Sequence, residues 1–120
     1  MAGESRTTLV TGGAGFIGSN LVRALVERGE RVRVVDDLSS GYRSNLEGLK
    51  SVDLIEADIS RPGTFDEVMA GVEHVYHLAA SVGNKRSIDN PLRDSEINVM
   101  GTLHLLEAAR THGVRKVVLS

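Results

Sequence analysis

Apolar residues along this chain alternate between two spacings, which predicts strands and helices in turn. Short β-branched and aliphatic runs typical of buried strands lie at residues 7–11, 31–36, 52–57, 72–78 and 114–119. Between them, apolar residues recur at helical intervals in residues 16–26, 65–69 and 99–109. Gly29 and Gly113 suit the ends of the first and last helices, and Pro62 suits the first turn of the middle one.

This order of elements predicts an α/β fold. Strands that alternate with helices favour a doubly wound parallel sheet, here of about five strands, with helices on both faces and right-handed crossovers. On the last helix, Val99, Leu103 and Leu106 form an apolar stripe. Packing of this face on the core explains the stripe by itself.

Composition excludes several classes of protein. The 120 residues support one domain, residues 1–120, and the net charge of −2 does not favour nucleic-acid binding. No run reaches the ~18 apolar residues of a membrane span, and no signal peptide is evident, so we expect a soluble cytoplasmic protein. The absence of cysteine excludes disulfides, and His74, His77, His104 and His112 are spaced poorly for a shared metal ion.

A glycine-rich turn between the first strand and the first helix is the strongest chemical signal. Gly12, Gly15 and Gly18 recur every third residue, and Gly13 adds a Gly-x-Gly-x-x-Gly spacing. Glycine lets a backbone approach a pyrophosphate closely, and the amides that begin a helix bind phosphate without a lysine. Ser19 stands where a P-loop needs lysine. The turn therefore predicts dinucleotide binding, with a purely structural turn as the alternative.

Acidic residues after the second and third strands extend this hypothesis. Asp36 follows Gly18 by 18 residues, near the offset of an acid that binds the adenosine ribose. Asp37 adds a second negative charge, which favours NAD over NADP because a 2′-phosphate would be repelled. Arg33 and Arg43 argue the other way, since either one offers a cation to a phosphate. After the third strand, Asp58 suits the adenine amino group and Ile59 the ring; an ordinary loop acid is the alternative for Asp58.

Three segments together resemble the extended short-chain dehydrogenase/reductase family, and within it the NAD-dependent nucleotide-sugar epimerases and dehydratases. They are residues 11–18 (Thr-Gly-Gly-Ala-Gly-Phe-Ile-Gly), residues 35–41 (Val-Asp-Asp-Leu-Ser-Ser-Gly), and residues 77–80 (His-Leu-Ala-Ala) taken with 98–102 (Asn-Val-Met-Gly-Thr). The resemblance covers residues 7–120. It implies a Rossmann-type NAD-binding domain that forms the N-terminal part of a longer enzyme, with a C-terminal substrate domain outside this chain. It also implies a homodimer of the full-length form, for which the helix that contains Val99, Leu103 and Leu106 is a candidate interface, as an alternative to packing of that stripe on the core.

The resemblance also implies roles for matching residues around NAD. The pyrophosphate would meet Phe16 and Ile17, and the adenosine ribose would meet Ser40 and Gly41 besides Asp36 and Asp37. The adenine would meet Asp58 and Ile59. The remaining implied cofactor contacts are Leu78, Ala79, Ala80, Ser81 and Val82 after the fourth strand, and Asn98 on the nicotinamide side.

The family's reaction implies residues that this chain lacks. NAD takes a hydride from the sugar 4-position while a tyrosine, tuned by a lysine four residues later, removes a proton. Here Leu46 follows Tyr42 at that spacing and Ala80 follows Tyr76. Ser120 resembles the start of the family's serine run, not its catalytic member. We therefore name no catalytic residue and expect no epimerase activity from these 120 residues.

Several alternatives stay open on the sequence. Lys85 and Arg86 suit the diphosphate of a nucleotide-sugar substrate, or else a solvated basic loop. The function favoured by the resemblance is the NAD-binding part of a nucleotide-sugar 4-epimerase. A 4,6-dehydratase, another reductase of the family, and a non-catalytic NAD-binding sensor are the other candidates.

Overall fold

The computed structural model describes residues 6–80 and 89–120 and contains one five-stranded parallel sheet. Its strand order is β3-β2-β1-β4-β5, so the chain runs outward from β1 in one direction and then in the other. The strands are β1 (Thr7–Thr11), β2 (Arg31–Asp36), β3 (Val52–Glu56), β4 (His74–His77) and β5 (Lys116–Leu119). The predicted doubly wound α/β fold, Rossmann-like in its order, is confirmed.

Four α-helices connect the strands in the described residues. They are α1 (Phe16–Glu27), α2 (Phe65–Val68), α3 (Pro91–Ser95) and α4 (Gly101–Thr111). A π-helical turn (Glu96–Met100) joins α3 to α4, and a 3₁₀ turn (Arg43–Leu46) lies in the loop after β2. None of these helices has both the length and the apolar character that crossing a bilayer requires.

The sheet divides the core into two apolar layers. Neighbouring residues of one strand point to opposite faces, so Leu9 and Val10 belong to different clusters, as do Val35 and Val34. One layer packs under α1. The other contains the buried side chains of α2 and α4, which are Phe65, Met69, Leu105, Ala108 and Ala109. Helices on both faces fix the carboxyl ends of the strands at one edge of the molecule.

Three predicted boundaries were wrong by two or three residues. Pro62 lies in a turn before α2, which begins at Phe65. The strands β4 and β5 begin at His74 and Lys116, two residues later than expected. The backbone N–H of Val72 donates to Met69, and that of Val114 donates to Ala109. These amides close the preceding helices and so are not free to pair in the sheet.

The apolar stripe on α4 does not face the core. Val99, Leu103 and Leu106 are exposed, whereas Gly101 and Leu105 are buried. A Cβ atom at Gly101 would lie 2.8 Å from Cδ1 of Ile59, so the helix approaches the neighbouring layer through its smallest residues. The core interpretation of the stripe is therefore wrong.

Candidate cofactor-binding site

A cleft of about 670 Å³ opens at the carboxyl ends of the strands. The segments that follow β1, β2, β3 and β4 form its walls, together with the π-helical turn and Ser120 after β5. The chain crosses to opposite sides of the sheet from the central strand β1, and ligands of open parallel sheets bind at such a switch point. The topology thus places the cleft where the sequence placed its glycine-rich turn.

The glycine-rich turn presents the start of α1 to this cleft. The Gly12 N–H donates to the Val35 carbonyl at 2.8 Å, which anchors the turn to β2, and Gly12 has a left-handed φ of 72°. Gly15 precedes the helix and offers no capping side chain, and the first turn of α1 contains no acidic residue. No side chain at the start of α1 therefore caps the first-turn amides of Phe16 and Ile17, and these amides suit an anion.

Two glycines of the turn have different reasons for lacking a side chain. A Cβ atom at Gly18 would clash with the Gly12 carbonyl and lie 2.8 Å from the Gly13 Cα, so the fold itself requires glycine there. A Cβ atom at Gly15 would meet only the Gly12 oxygen, at 3.4 Å. The protein's own packing does not require glycine at position 15, and that space belongs to the cleft.

The carboxylate of Asp36 braces the turn from the end of β2. Its Oδ2 accepts a hydrogen bond from the Ala14 N–H at 3.0 Å, and its Oδ1 accepts one from the Leu38 N–H at 2.8 Å. Asp36 is buried, whereas Asp37 is exposed and accepts only from the Ser39 N–H. Both acids lie in the cleft wall with Ser39 and Ser40.

Gly41 lies behind the glycine-rich turn and is absent from the cleft wall. A Cβ atom there would come within 2.7 Å of the Ala14 carbonyl carbon. The next residue donates its N–H to the Ala14 oxygen, which also accepts from Asn45. Gly41 thus allows this loop to pack closely against the glycine-rich turn, and its implied contact with the ribose stays a prediction.

Asp58 lies in the cleft wall, and its carboxylate already has protein partners. Its Oδ1 accepts hydrogen bonds from the amide and the hydroxyl of Ser60, and its Oδ2 accepts one from Arg93 at 2.7 Å. Burial alone would raise the pKa of Asp58, but the hydrogen bonds from Ser60 and Arg93 outweigh it and lower the pKa to about 2. Ile59 also lines the cleft, although its side chain is almost fully buried beside Gly101.

A hydrogen-bonded chain under the cleft was not anticipated from the sequence. The His77 Nδ1 lies 2.7 Å from the Thr11 hydroxyl, and its Nε2 lies 3.0 Å from the Thr102 hydroxyl. Thr102 donates to the Asn98 carbonyl, so its oxygen accepts the Nε2 proton of a neutral His77. The Thr11 hydroxyl then donates to Nδ1, and its oxygen accepts the amides of Leu78 and Ala79 at 3.0 Å each. The sequence features that could have indicated this chain of hydrogen bonds are the threonine that ends β1 and the threonine near the start of the last helix.

The structure brings together most of the residues predicted to contact a cofactor. Leu78, Ala79, Ala80 and Asn98 line the cleft with the glycine-rich turn and the acids, while Gly41 does not. Ser81 and Val82, as well as Lys85 and Arg86, lie outside the described residues. The cleft wall also contains residues that sequence reasoning did not select, namely Ser39, Ala57, His77, Ile97 and Thr102.

Neither arginine that argued for a 2′-phosphate is free for one. Arg33 donates through Nη1 to the carbonyls of Val68 and Ala70, which closes the end of α2. Arg43 forms an ion pair with Glu56 at 2.6 Å. In the described residues, the histidines and carboxylates also form no group of three that could hold a metal ion.

Comparisons with known proteins agree with this geometry. Residues 8–120 match the model of the NAD dependent epimerase/dehydratase family. The chain is 46% identical over 119 residues to UDP-glucose 4-epimerase of Mycolicibacterium smegmatis, and the aligned region covers 92% of this chain and 37% of that protein. UDP-glucuronic acid decarboxylase 1 of Arabidopsis thaliana is 38% identical, across 93% of this chain and 25% of that protein.

Solved structures match over nearly the whole chain. An epimerase of Methanothermobacter thermautotrophicus superposes with a TM-score of 0.91 at 37% identity, covering 98% of this chain and 35% of that one. The NAD complex of Thermus thermophilus UDP-glucose 4-epimerase has a TM-score of 0.83 at 40% identity, covering 92% and 36%. The chain thus spans between a quarter and little more than a third of the length of these relatives. By family match, sequence identity and fold, it belongs to the NAD dependent epimerase/dehydratase family.

Proposed function

We propose that this chain is the NAD-binding part of a nucleotide-sugar 4-epimerase. One observation carries the proposal: the amides that begin α1 and the carboxylates of Asp36 and Asp37 line the same cleft. Amides at a helix start suit a pyrophosphate, and paired carboxylates suit the hydroxyls of a ribose. The epimerases among the relatives support the reaction type, and the nucleotide-sugar substrate is part of the same proposal.

The residues present fit NAD along the whole cleft. The turn of Gly12, Gly15 and Gly18 would hold the pyrophosphate, with the amides of Phe16 and Ile17. The adenosine would lie toward the acids and Ser40 on one side, with Asp58 and Ile59 at the adenine. The nicotinamide would lie beside Leu78, Ala79, Ala80 and Asn98. When bound, NAD supplies the ability to take a hydride from the sugar 4-position and to return it.

The preference for NAD over NADP rests on charge. A 2′-phosphate on the adenosine ribose would lie near Asp36 and Asp37 and meet two negative charges. Three nearby arginines have protein partners: Arg33 binds carbonyls at the end of α2, Arg43 pairs with Glu56, and Arg93 binds Asp58 and Ser60. The repulsion by the two acids therefore disfavours the phosphorylated cofactor.

Calorimetric titration of the purified protein with NAD and with NADP tests this proposal. We expect NAD to bind at least tenfold more tightly, which corresponds to about 1.4 kcal/mol. Equal or tighter binding of NADP would contradict the role of the two acids. A folded protein that binds neither dinucleotide would contradict the proposed function as a whole.

A 4,6-dehydratase is the second candidate for the reaction. The solved dTDP-glucose 4,6-dehydratase of Streptomyces venezuelae matches this chain at 36% identity with a TM-score of 0.84, so the cofactor domain alone does not separate the two reactions. The products do. An epimerase yields a sugar of unchanged mass, whereas a dehydratase yields one lighter by a molecule of water. Mass spectrometry of the products formed by the proposed longer enzyme, of which this chain is the cofactor-binding part, distinguishes the two.

We also propose that the exposed apolar stripe, formed by Val99 in the π-helical turn with Leu103 and Leu106 on α4, pairs with a second copy in a homodimer of the full-length form. Val99, Leu103 and Leu106 leave a large apolar surface on one helix face, and Leu92 on α3 is exposed as well. Burial of such a surface is favourable by roughly 25 cal/mol per Å². Light scattering after gel filtration should show a dimer that Leu103→Glu converts to a monomer. The variant Thr111→Glu, on the same helix outside the stripe, should stay dimeric.

A further inference from the structure

One arginine outside the cleft wall contacts Asp58, at the proposed adenine end of the candidate site. Arg93 lies on α3, and its Nη2 donates to Oδ2 of Asp58 at 2.7 Å. Its Nη1 donates to the Ser60 hydroxyl, also at 2.7 Å. The two partners are 35 and 33 residues away in sequence. A single guanidinium therefore joins α3 to the loop that follows β3.

The surroundings of Arg93 favour a fixed side chain. Besides Asp58, it faces Glu96 at 3.6 Å, and the charge of Asp37 contributes to the raised pKa of its guanidinium after the larger effect of the Asp58 hydrogen bond. The side chains of Arg93 and Asp58 are 37% and 22% exposed, whereas those of the surface pair Arg110 and Glu107 are 72% and 66% exposed. The planar fork of arginine also fixes direction better than an ammonium group does.

Asp58 retains room for one more donor. An ionised carboxylate offers about four acceptor positions, and the Ser60 amide, the Ser60 hydroxyl and Arg93 occupy three of them. Arg61 adds only a charge contact, at 3.7 Å. Because Asp58 is part of the cleft wall, the remaining position is available to a ligand in the cleft.

We propose that Arg93 is a positioning residue for the adenine end of the site, because it orients the Asp58 carboxylate so that its last acceptor position receives the 6-amino group of the adenine. Ser60 holds one oxygen and Arg93 holds the other, so the carboxylate plane cannot rotate freely. The side chain that sets this orientation comes from the helix leading into the π-helical turn that bears Asn98. The adenine and nicotinamide ends of the cleft thus share one structural support.

This inference rests on the proposed binding of NAD, and its test separates the two. Wild-type protein is titrated by calorimetry with NAD and with the hypoxanthine analogue of NAD, which has an oxygen in place of the 6-amino group. We expect the wild type to prefer NAD about tenfold, the effect of one hydrogen bond to a charged acceptor. Arg93→Gln should reduce this preference to less than threefold, and Asp58→Asn should also reduce it.

Two further variants separate positioning from general damage to the fold. Arg93→Lys keeps a cation beside Asp58 but loses the fork, so an intermediate preference is expected. Arg110→Gln removes an arginine of α4 that pairs only with Glu107, and it should retain the full preference. Circular dichroism checks the folding of each variant, and Arg93→Lys with Asp58→Asn decides the matter if Arg93→Gln does not fold.

The outcomes are distinguishable. If Arg93→Gln weakens both dinucleotides by the same factor, the arginine supports the fold without orienting the carboxylate, and the inference is overturned. Equal binding of NAD and its analogue by the wild type also overturns it but leaves NAD binding intact. A wild type that binds neither dinucleotide overturns the proposed function and this inference together.

Discussion

The carboxylate of Asp36 accepts hydrogen bonds from backbone amides of the protein itself, independently of any ligand. Its position at the end of β2 was predictable from the spacing to Gly18, but its hydrogen bond to Ala14 was not. That bond links two segments 22 residues apart, and it exists only because β1 and β2 are paired. An acid expected to hold a ribose therefore also shapes the turn expected to hold the pyrophosphate.

The variants Gly15→Ala and Gly18→Ala should distinguish a glycine that leaves room for a ligand from one that the packing of the protein requires. At Gly15 a methyl group meets no protein atom closer than 3.4 Å, so we expect a change in unfolding free energy of about 1 kcal/mol or less. The new methyl group at position 15 would lie in the cleft beside the start of α1, so NAD should bind at least tenfold more weakly. At Gly18 the methyl group meets the backbone, and overpacking of this kind costs about 1–3 kcal/mol.

Urea unfolding without ligand, followed by titration with NAD, measures both effects. The expected pattern is a stable Gly15→Ala variant with weak binding and a destabilised Gly18→Ala variant. Unchanged NAD affinity in Gly15→Ala would show that the cofactor does not approach this part of the turn.

The chain of hydrogen bonds through His77 connects elements that the sequence treats separately. Thr11 ends β1, His77 ends β4, and Thr102 lies in the first turn of α4. Together they tie the two central strands to the helix that follows Asn98. Every hydroxyl and ring nitrogen in this chain has a partner only while His77 is neutral, because a proton on Nδ1 would displace the hydrogen bond from Thr11.

Stability should decrease as the pH falls from 7 to 5, and His77 should account for part of the decrease. Burial lowers the pKa of His77 from its ordinary value of 6.5. The unfolded chain therefore takes up the proton first, so the contribution of His77 is complete above about pH 6.5 and is lost as the pH falls through that range. The unfolding free energy in urea, measured at intervals between pH 7 and 5, checks this.

His77→Gln should flatten that pH dependence and cost roughly 1–3 kcal/mol at pH 7, since buried hydroxyls lose their partner. His74→Gln is the matched variant, because burial and the nearby charge of Arg6 also lower the pKa of His74. It should flatten the profile without disturbing the hydrogen bonds of Thr11 and Thr102. A His77→Gln protein with the wild-type slope would refute the assignment.

Among the described residues, the wall of the candidate cleft contains no tyrosine that could abstract a proton. Tyr42 is exposed outside the cleft, and Tyr76 packs against the apolar layer under α1. General base catalysis requires the base within hydrogen-bond reach of the proton it removes. Neither tyrosine meets that condition.

We therefore expect the purified 120-residue protein to bind NAD without converting a nucleotide sugar. Incubation with NAD and UDP-glucose, followed by chromatographic separation of the sugar nucleotides, should show no product above the level of a heat-denatured control. Steady product formation by the folded protein would contradict the expectation and would require a base other than these two tyrosines.

The sequence alone determined the class of the fold and indicated where the candidate site lies. Alternating spacings of apolar residues specify strands and helices because each period matches the geometry of one element, and the glycine-rich turn between Thr11 and Phe16 carries its own chemistry. Both signals are local in the sequence, so they can be recognised without knowledge of tertiary contacts. The resemblance of three short segments added the cofactor and the reaction class.

Only the tertiary structure decided which groups meet. The exposure of Leu103 decides against one of two interpretations that the sequence left open. The contact of Arg33 with α2 and that of Arg93 with Asp58 join elements that are far apart in the chain. A helical period shows which residues share a face of the helix, but which face is buried depends on how closely the neighbouring elements approach. On α4 the buried face contains Gly101, Leu105, Ala108 and Ala109, with Gly101 in close approach to Ile59, and Leu103 and Leu106 remain outside.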